Sequence, residues 1–400
     1  MELPVSTLFK KHFGHAPPCV AQAPGRLELL GNHTDYNEGL VMAIAVDRYV
    51  RIAASSRNDG KVKLVASAFP EPEEFFVSDL RKNPTAPWAD YVKGVIQQLR
   101  HRGARIGGFN AAVDGTIPMG AGMSSSAALE VATALTMRRL YPFALRDGLL
   151  IEPPQADACG QLPALTARER MELAKLCQAA ENEFVGVKCG LLDQVSSLFG
   201  KAHHAIELDC KFITIEYAPI FGDVAFVICN SGVKHELAGG EYNELRKLCE
   251  SAAKKLGAQS LRSVDPKDLA SNRLKLTERE YQCAYHIVGE IQRVVHGARA
   301  LRENDFDQFG QLMFQSHESS RDFFKNSTRE LDLLVAIARD QPACLGARLT
   351  GGGFGGATIN LVRRDGLDGF SQAVSKHYKQ RSGIAVAPLV CQVADGASPP

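Results

Sequence analysis

Apolar residues recur along this chain in two rhythms. From Gly39 to Ser55 the run GLVMAIAVDRYVRIAAS is rich in aliphatic and β-branched residues, which predicts two strands meeting at Asp47-Arg48. Phe109, Ala111 and Val113 alternate ahead of Asp114-Gly115, a strand running into a turn. The rhythm then turns helical. Ala128, Leu129, Ala132 and Leu135 follow a serine run, so this stretch reads as strand, loop and helix with the serines at the helix start. Leu173, Leu176, Cys177, Ala180 and Phe184 form a second helical stripe, with Glu181 at its edge.

In the second half, Val224 to Cys229 is a continuous apolar run that predicts a buried strand. Tyr242, Leu245, Cys249, Ala252 and Leu256 lie on one helix face, and a longer helical pattern runs from Glu278 to about Leu301. Short strand-like runs lie near Ala347 and from Thr358 to Val362. Strands and helices are interspersed in both halves, which argues for α+β layers. The boundary is expected near residue 208, giving domains 1–208 and 209–400. Glu152 to Ala164 carries three prolines and Gly160 and reads as a surface insertion.

Composition adds exclusions. A chain of 400 residues is long enough for two domains with substantial cores. With 46 basic against 45 acidic residues the net charge is +1, so nothing suggests nucleic acid, and an anionic substrate needs a local site. The ten cysteines show no CxxC pair and no metal spacing, which predicts reduced, mostly buried thiols in a cytoplasmic enzyme; a monomer is expected. No run is apolar enough for a signal peptide or a membrane span. Asn326-Ser327-Thr328 matches a glycosylation acceptor by chance in such a chain.

The chemistry concentrates in three glycine- and serine-rich segments: APGRLELLGNHTDYNEG from Ala23, PMGAGMSSSAALE from Pro118 and LTGGGFGGA from Leu349. In the second, Gly120, Gly122 and Ser124 to Ser126 immediately precede a helix. Glycines let backbone approach a phosphate, and the first-turn N–H groups of a helix favour an anion. A lone serine run would more simply be an N-cap. No Gly-Lys-Ser/Thr follows, so this is not a Walker loop.

Together and in this order, the three segments resemble the motifs of the GHMP small-molecule kinases, and the first narrows the likeness to galactokinases. PWADYVKGV from Pro87, CGLLDQ from Cys189, ICNSGVKHELAGGEY from Ile228 and SHESSRD from Ser316 extend it over most of the chain. The resemblance implies a two-domain fold, an N-terminal domain with a left-handed crossover and a ferredoxin-like C-terminal domain, with the active site between them. It implies ATP and Mg2+ as cofactors and phosphorylation of the C1 hydroxyl of a sugar, most simply α-D-galactose. It places Pro118, Gly120, Ala121, Gly122, Ser124, Ser125, Ser126 and Ala127 at the nucleotide, and Ser126 with Glu181 (in AENEF) at the metal. Outside that context Glu181 could instead be a salt-bridge partner. Asp193 in CGLLDQ becomes the base, with Arg26 beside it; alone they would read as a helix cap and a strand-end ion pair. Asn32, His33, Asp35, Gly190 and Tyr242 become sugar contacts, Tyr242 being equally suited to a core position.

Some positions depart from the family. In GRxNLIGEHTDYNxG this chain has Glu28 for the asparagine and Asn32 for the glutamate, the residue that accepts a hydrogen bond from the C6 hydroxyl in galactokinases. Asn32 keeps a carbonyl acceptor, loses the charge and is one methylene shorter. Glu28 supplies a carboxylate to the same face if the strand persists to residue 32. RDFFKNS from Arg321 departs from RDDYEVS, at expected inter-domain contacts. A kinase for L-arabinose, galacturonate or N-acetylgalactosamine, and a catalytically silent sugar sensor, stand as alternatives. The intact SSSAALE favours an enzyme, and NHTDYN with CGLLDQ disfavours homoserine- and mevalonate-type kinases.

Overall fold

A computed structural model describes residues 3–118, 120–153, 155–156, 162–234 and 238–398. Most of the 152–164 insertion's centre, including Cys159, and Met119 of the second segment lie outside the described residues.

After helix α1 (Pro4–Phe13), strands β1 (Cys19–Leu30), β2 (Leu40–Arg57), β3 (Lys61–Ala66), β4 (Phe69–Phe76) and β5 (Gly108–Gly115) build the first sheet, with α2 (Ala89–His101) before β5. Helix α3 (Ser125–Leu140), a small hairpin of β6 (Ala144–Arg146) and β7 (Leu149–Ile151), α4 (Ala167–Ala179) and α5 (Leu192–Phe199) follow. Strands β8 (His204–Asp209) and β9 (Thr214–Pro219) complete the sheet in the order β4-β3-β5-β2-β8-β9, with β1 on β2.

The region predicted as two strands around Asp47-Arg48 is one 18-residue strand. The polar pair does not turn the chain because other chain segments take it up. Asp47 exchanges bonds with the backbone of Gln392, and Arg48 donates to Val390 O at 3.1 Å. Period-2 alternation sorts the faces. Ile52, Ala54, Leu64, Ala111 and Val113 enter the main core under the helices, while Ala53, Val65 and Ala112 meet Val5 and Phe9 of α1.

The second sheet uses β10 (Val224–Lys234), β11 (Cys344–Thr350), β12 (Gly355–Arg363) and β13 (Leu389–Cys391), in the antiparallel order β11-β12-β10-β13. Helices α6 (Ala238–Lys255), α7 (Pro266–Ser271), α8 (Glu278–Arg302), α9 (Phe306–Ser319) and α10 (Arg329–Arg339) lie between β10 and β11, and α11 (Leu367–Ser382) between β12 and β13. Strand-helix-strand-strand-helix-strand in this order is the ferredoxin-like arrangement. Phe226 and Ile228 join the main core, and Val227 and Cys229 face the cluster of α10 and α11.

The change of sheet comes between Pro219 and Val224, later than the expected boundary near 208, because the β8–β9 hairpin pairs with β2. The tail then returns: Val393 bridges Val46, and Ala397 N donates to Ser197 O. Residues at the far C-terminus therefore contact the first sheet as well as the second. Nine cysteines are free and buried or half-buried among the described residues, and no described helix is long and apolar enough to cross a membrane.

Candidate active site

Strand β1 delivers the first functional side chain through a bulge. Its register with β2 shifts between Pro24 and Arg26, where a Cβ on Gly25 would lie 2.7 Å from Met123 O. Arg26 N donates to that same oxygen at 3.1 Å, which stitches β1 to the glycine loop ahead of α3. Bulges of this kind commonly re-aim a strand beside a site. The loop turns through left-handed conformations at Gly120, Gly122 and Ser124 (φ 73°, 65° and 50°). Ser124 holds the N-cap position but makes no capping bond; its hydroxyl instead donates to Asp193 Oδ2. The first turn of α3 carries no acidic side chain, so its N–H groups and dipole remain suited to an anion. Ser125 and Ser126 are half-buried there, Ala121 and Ala127 are buried behind them, and Pro118 is exposed at the loop's start. The third glycine segment lies on this loop: a Cβ on Gly122 would come within 3.1 Å of Thr350 O.

Asp193 lies in the first turn of α5, but Leu191 occupies the cap position. Its Oδ1 accepts from Arg26 Nε at 2.8 Å, and Arg26 Nη1 donates to Gly122 O at 2.5 Å. Burial works against the Arg26 charge, yet Asp193, Glu28 and Asp35 raise its pKa above the ordinary value. The pair thus ties strand, phosphate loop and α5 together at one point.

Around it stand the expected sugar contacts. Asp35 opens a short 3-10 turn and accepts from Tyr36 N at 2.9 Å. A Cβ on Gly190 would fall 1.8 Å from Asp35 Oδ2, so only glycine permits this approach. Burial pushes the Asp35 carboxyl up to about 6; the Tyr36 N–H lowers it, and Glu28 and Asp193 raise it further. Burial likewise brings His33 down to about 4, leaving a neutral ring. Its Nε2 faces Gly352 O at 3.0 Å and its Nδ1 faces the Tyr36 hydroxyl at 2.8 Å. A carbonyl only accepts, so Nε2 carries the proton. The ring also packs on Tyr242 and Phe324, each with centroids 4.8 Å away. Asn32 is held by Glu28, Gly351 O and Asn326. Arg26, Asn32, His33, Asp35, Glu181, Gly190, Asp193 and Tyr242 all line one cavity of about 410 Å³.

Glu181 stands on a π-helical turn, Ala180–Val185, that continues α4, a feature frequent at functional sites. Its partners are Cys189 (3.2 Å), Gln194 (2.9 Å) and the Ser126 hydroxyl, none of them basic. Burial, then the charge of Asp193, pushes its carboxyl up to about 7. A carboxylate and a hydroxyl are hard donors, and magnesium takes few protein oxygens beside phosphate and water. The raised pKa is what a bound cation would offset, so the pair fits that ion. Sequence reasoning missed Glu130, whose Oε2 shares Gln194 with Glu181 and whose buried Oε1 has no partner. It also missed Lys188 and Asn243 on the cavity wall, which no pattern marks.

Comparison with known proteins gives the family. Residues 7–56 match the galactokinase galactose-binding signature, residues 90–201 the GHMP kinases N terminal domain and residues 298–380 the GHMP kinases C terminal model. A galactokinase of Chloroflexus aurantiacus is 39% identical over 98% of this chain and 95% of its own length. The Homo sapiens galactokinase is 37% identical over 97% and 94%. The structure of Lactococcus lactis galactokinase complexed with galactose superposes with a TM-score of 0.87 at 32% identity, covering 99% of this chain and 98% of that one. A mevalonate kinase structure at 18% identity and TM-score 0.61 shares the fold.

Proposed function

This chain belongs to the galactokinase family of the GHMP kinases, it transfers the γ-phosphoryl group of ATP to the anomeric C1 hydroxyl of α-D-galactose, and we propose that Asp193 and Arg26 carry the chemistry. One observation supports that assignment above the others. Arg26 and Asp193 are paired in the same cavity as Asp35, His33, Gly190 and Tyr242, with Ser124 at the start of α3 bonded to Asp193.

In this reading Asp35 accepts hydrogen bonds from ring hydroxyls, with His33, Tyr242, Asn32 and the Gly190 backbone around the sugar. Asp193 Oδ2 exchanges the Ser124 hydroxyl for the C1 hydroxyl and takes its proton. The sugar oxygen bonds to the γ-phosphorus while the bond from that phosphorus to the β–γ bridging oxygen breaks, and ADP leaves. Arg26 fixes the Asp193 carboxylate by donating to its Oδ1 and faces the charge gathering on the transferred group. Phosphates rest against the loop from Pro118 to Ala127 and the N-terminal end of α3. Ser126 and Glu181 would hold magnesium, which supplies neutralisation of phosphate charge when bound. Use of ATP suits the cytoplasm, and we read the chain as a monomer.

An ADP-release assay across a panel of free sugars, with the phosphorylated position assigned by NMR, tests the reaction. Galactose is expected to give galactose 1-phosphate. Inert galactose beside a rapidly phosphorylated second sugar would overturn the substrate and leave only the kinase class.

A further inference from the structure

Three of the chain's departures from galactokinase motifs are far apart in sequence, and the fold sets them in one hydrogen-bonded row. They are Glu28 for asparagine, Asn32 for glutamate, and Asn326 in RDFFKNS for the valine of RDDYEVS. Asn326 Nδ2 donates to Asn32 Oδ1 at 2.9 Å, and Asn32 Nδ2 donates to Glu28 Oε1 at 3.0 Å. The strand does not reach residue 32. It ends at Leu30, and Gly31 (φ 98°) turns the chain back so that Asn32 meets Glu28.

The two cavity residues are left in different states. Asn32 Nδ2 also donates to Gly351 O at 2.7 Å, so both amide protons are used inside the protein and the carbonyl already holds a bond. The residue is 1% exposed. Glu28 takes Asn32 and the fully buried Arg348 on a single oxygen, Oε1, at 3.0 and 3.1 Å. Oε2 enters neither bond, and Glu28 lines the cavity. Arg26 and Glu28 pair regularly with Ala45 and Ala43 of β2, so they share a face of β1. Two residues along a strand span about 6–7 Å, comparable to a pyranose ring with its exocyclic oxygen. Arg26 marks the reacting end through Asp193, and Glu28 stands one sugar length away.

We propose that Glu28, in place of residue 32, is the carboxylate that accepts the sugar's C6 hydroxyl, and that Asn32 and Asn326 are positioning residues that hold it there. The proposal rests on the reading of the chain as a galactose kinase. The cavity keeps its carboxylate, presented from the strand instead of the turn.

The test compares the parent, Glu28→Gln, Asn32→Ala and the exchanged pair Glu28→Asn with Asn32→Glu. Binding of galactose and 6-deoxygalactose is measured by calorimetry without nucleotide, and kcat/KM for each sugar in parallel. Glu28→Gln is expected to lower the galactose-over-6-deoxygalactose ratio about tenfold, through galactose alone, as the loss of a hydrogen bond to a charged group requires. Asn32→Ala weakens both sugars together, leaving the ratio within about twofold. The exchanged pair restores the preference. An unchanged ratio in Glu28→Gln, or a ratio that collapses only in Asn32→Ala, overturns the proposal. If Glu28→Gln fails to fold, Glu28→Asp keeps a charge for Arg348 but withdraws it by one methylene. Its ratio is expected to fall too, and an unchanged one overturns the proposal equally. A parent that binds both sugars but releases no ADP counts against the reaction, and the binding ratio still decides the role of Glu28.

Discussion

The two walls of the cavity are built by opposite means. The sugar wall is a web of buried side chains drawn from both halves of the chain. Glu28 meets Arg348, Asn32 meets Asn326, and Glu290 of α8 accepts from Gly31 N, Asn32 N and Ser316 Oγ while pairing with Arg293. The phosphate wall is mostly backbone: glycines at positive φ, a helix start and a second glycine segment laid across it. Telling one sugar from another needs acceptors fixed at particular hydroxyls, which only locked side chains provide. Holding a phosphate needs N–H groups at close range, which any side chain would obstruct. The walls should therefore fail differently, the first through lost charge and the second through an added Cβ.

The largest effect is expected at Glu290. Burial opposes its ionisation, but Arg293 and Arg348 hold its carboxyl well below the usual carboxylate range. Glu290→Ala leaves the buried Arg348 and the half-buried Arg293 without it and is expected to cost about 3–5 kcal/mol in urea unfolding. A loss under about 1 kcal/mol would mean the web decorates the wall without holding it. Next comes Asp193, where the walls meet. Asp193→Asn keeps the size and removes the proton acceptor, so kcat should fall by at least about a hundredfold while galactose affinity changes far less. Near-normal turnover would leave Arg26 and positioning to carry the reaction.

On the phosphate wall the expected losses are smaller and confined to the nucleotide. Gly122→Ala adds a Cβ at φ 65° and 3.1 Å from Thr350 O. Left-handed strain of roughly 1–2 kcal/mol should raise the KM for ATP about tenfold and leave galactose binding unchanged. Equal damage to both substrates would erase the contrast between the walls. Ser126→Ala and Glu181→Ala should each raise the magnesium concentration needed for half activity, with sugar binding in the absence of ATP preserved. Identical magnesium dependence in both variants and parent would make that pair structural.

The sequence made the phosphate wall more legible than the sugar wall, for a physical reason. Glycine at positive φ and serine before a helical stripe are local requirements, so Gly122 and Ser124 to Ser126 announce themselves in a single segment. The sugar wall depends on partners hundreds of positions apart. Asn32 was visible as a departure, but its bond to Asn326 was not, nor was the buried Arg348 beside Glu28. The strand at Asp47-Arg48 ran on for the same reason, since the tail that absorbs its polarity arrives 345 residues later. Glu130 ends the PMGAGMSSSAALE segment, yet only the fold reveals that it shares Gln194 with Glu181.

The smallest expected effect separates the walls by pH. Asp35 titrates near about 6 in the folded chain against 3.8 for the unperturbed group, chiefly because it is buried. Between those values the folded state binds more protons than the unfolded one, so stability contributed at this position falls as pH rises and the deficit is complete above the folded pKa. Asp35→Asn, which removes the charge, should therefore raise the melting temperature of the sugar-free enzyme by about 1–2 °C at pH 8. Below about pH 4 the difference should close, because the parent's carboxyl is then neutral in both states. Galactose binding should move the other way. In the parent it should weaken as pH falls through about 6 and the acceptor oxygens gain a proton, whereas Asp35→Asn should bind weakly and without that dependence. An equal gap in melting temperature at both pH values would show that Asp35 pays no penalty for its charge, and that the sugar wall is not held under electrostatic strain before the sugar arrives.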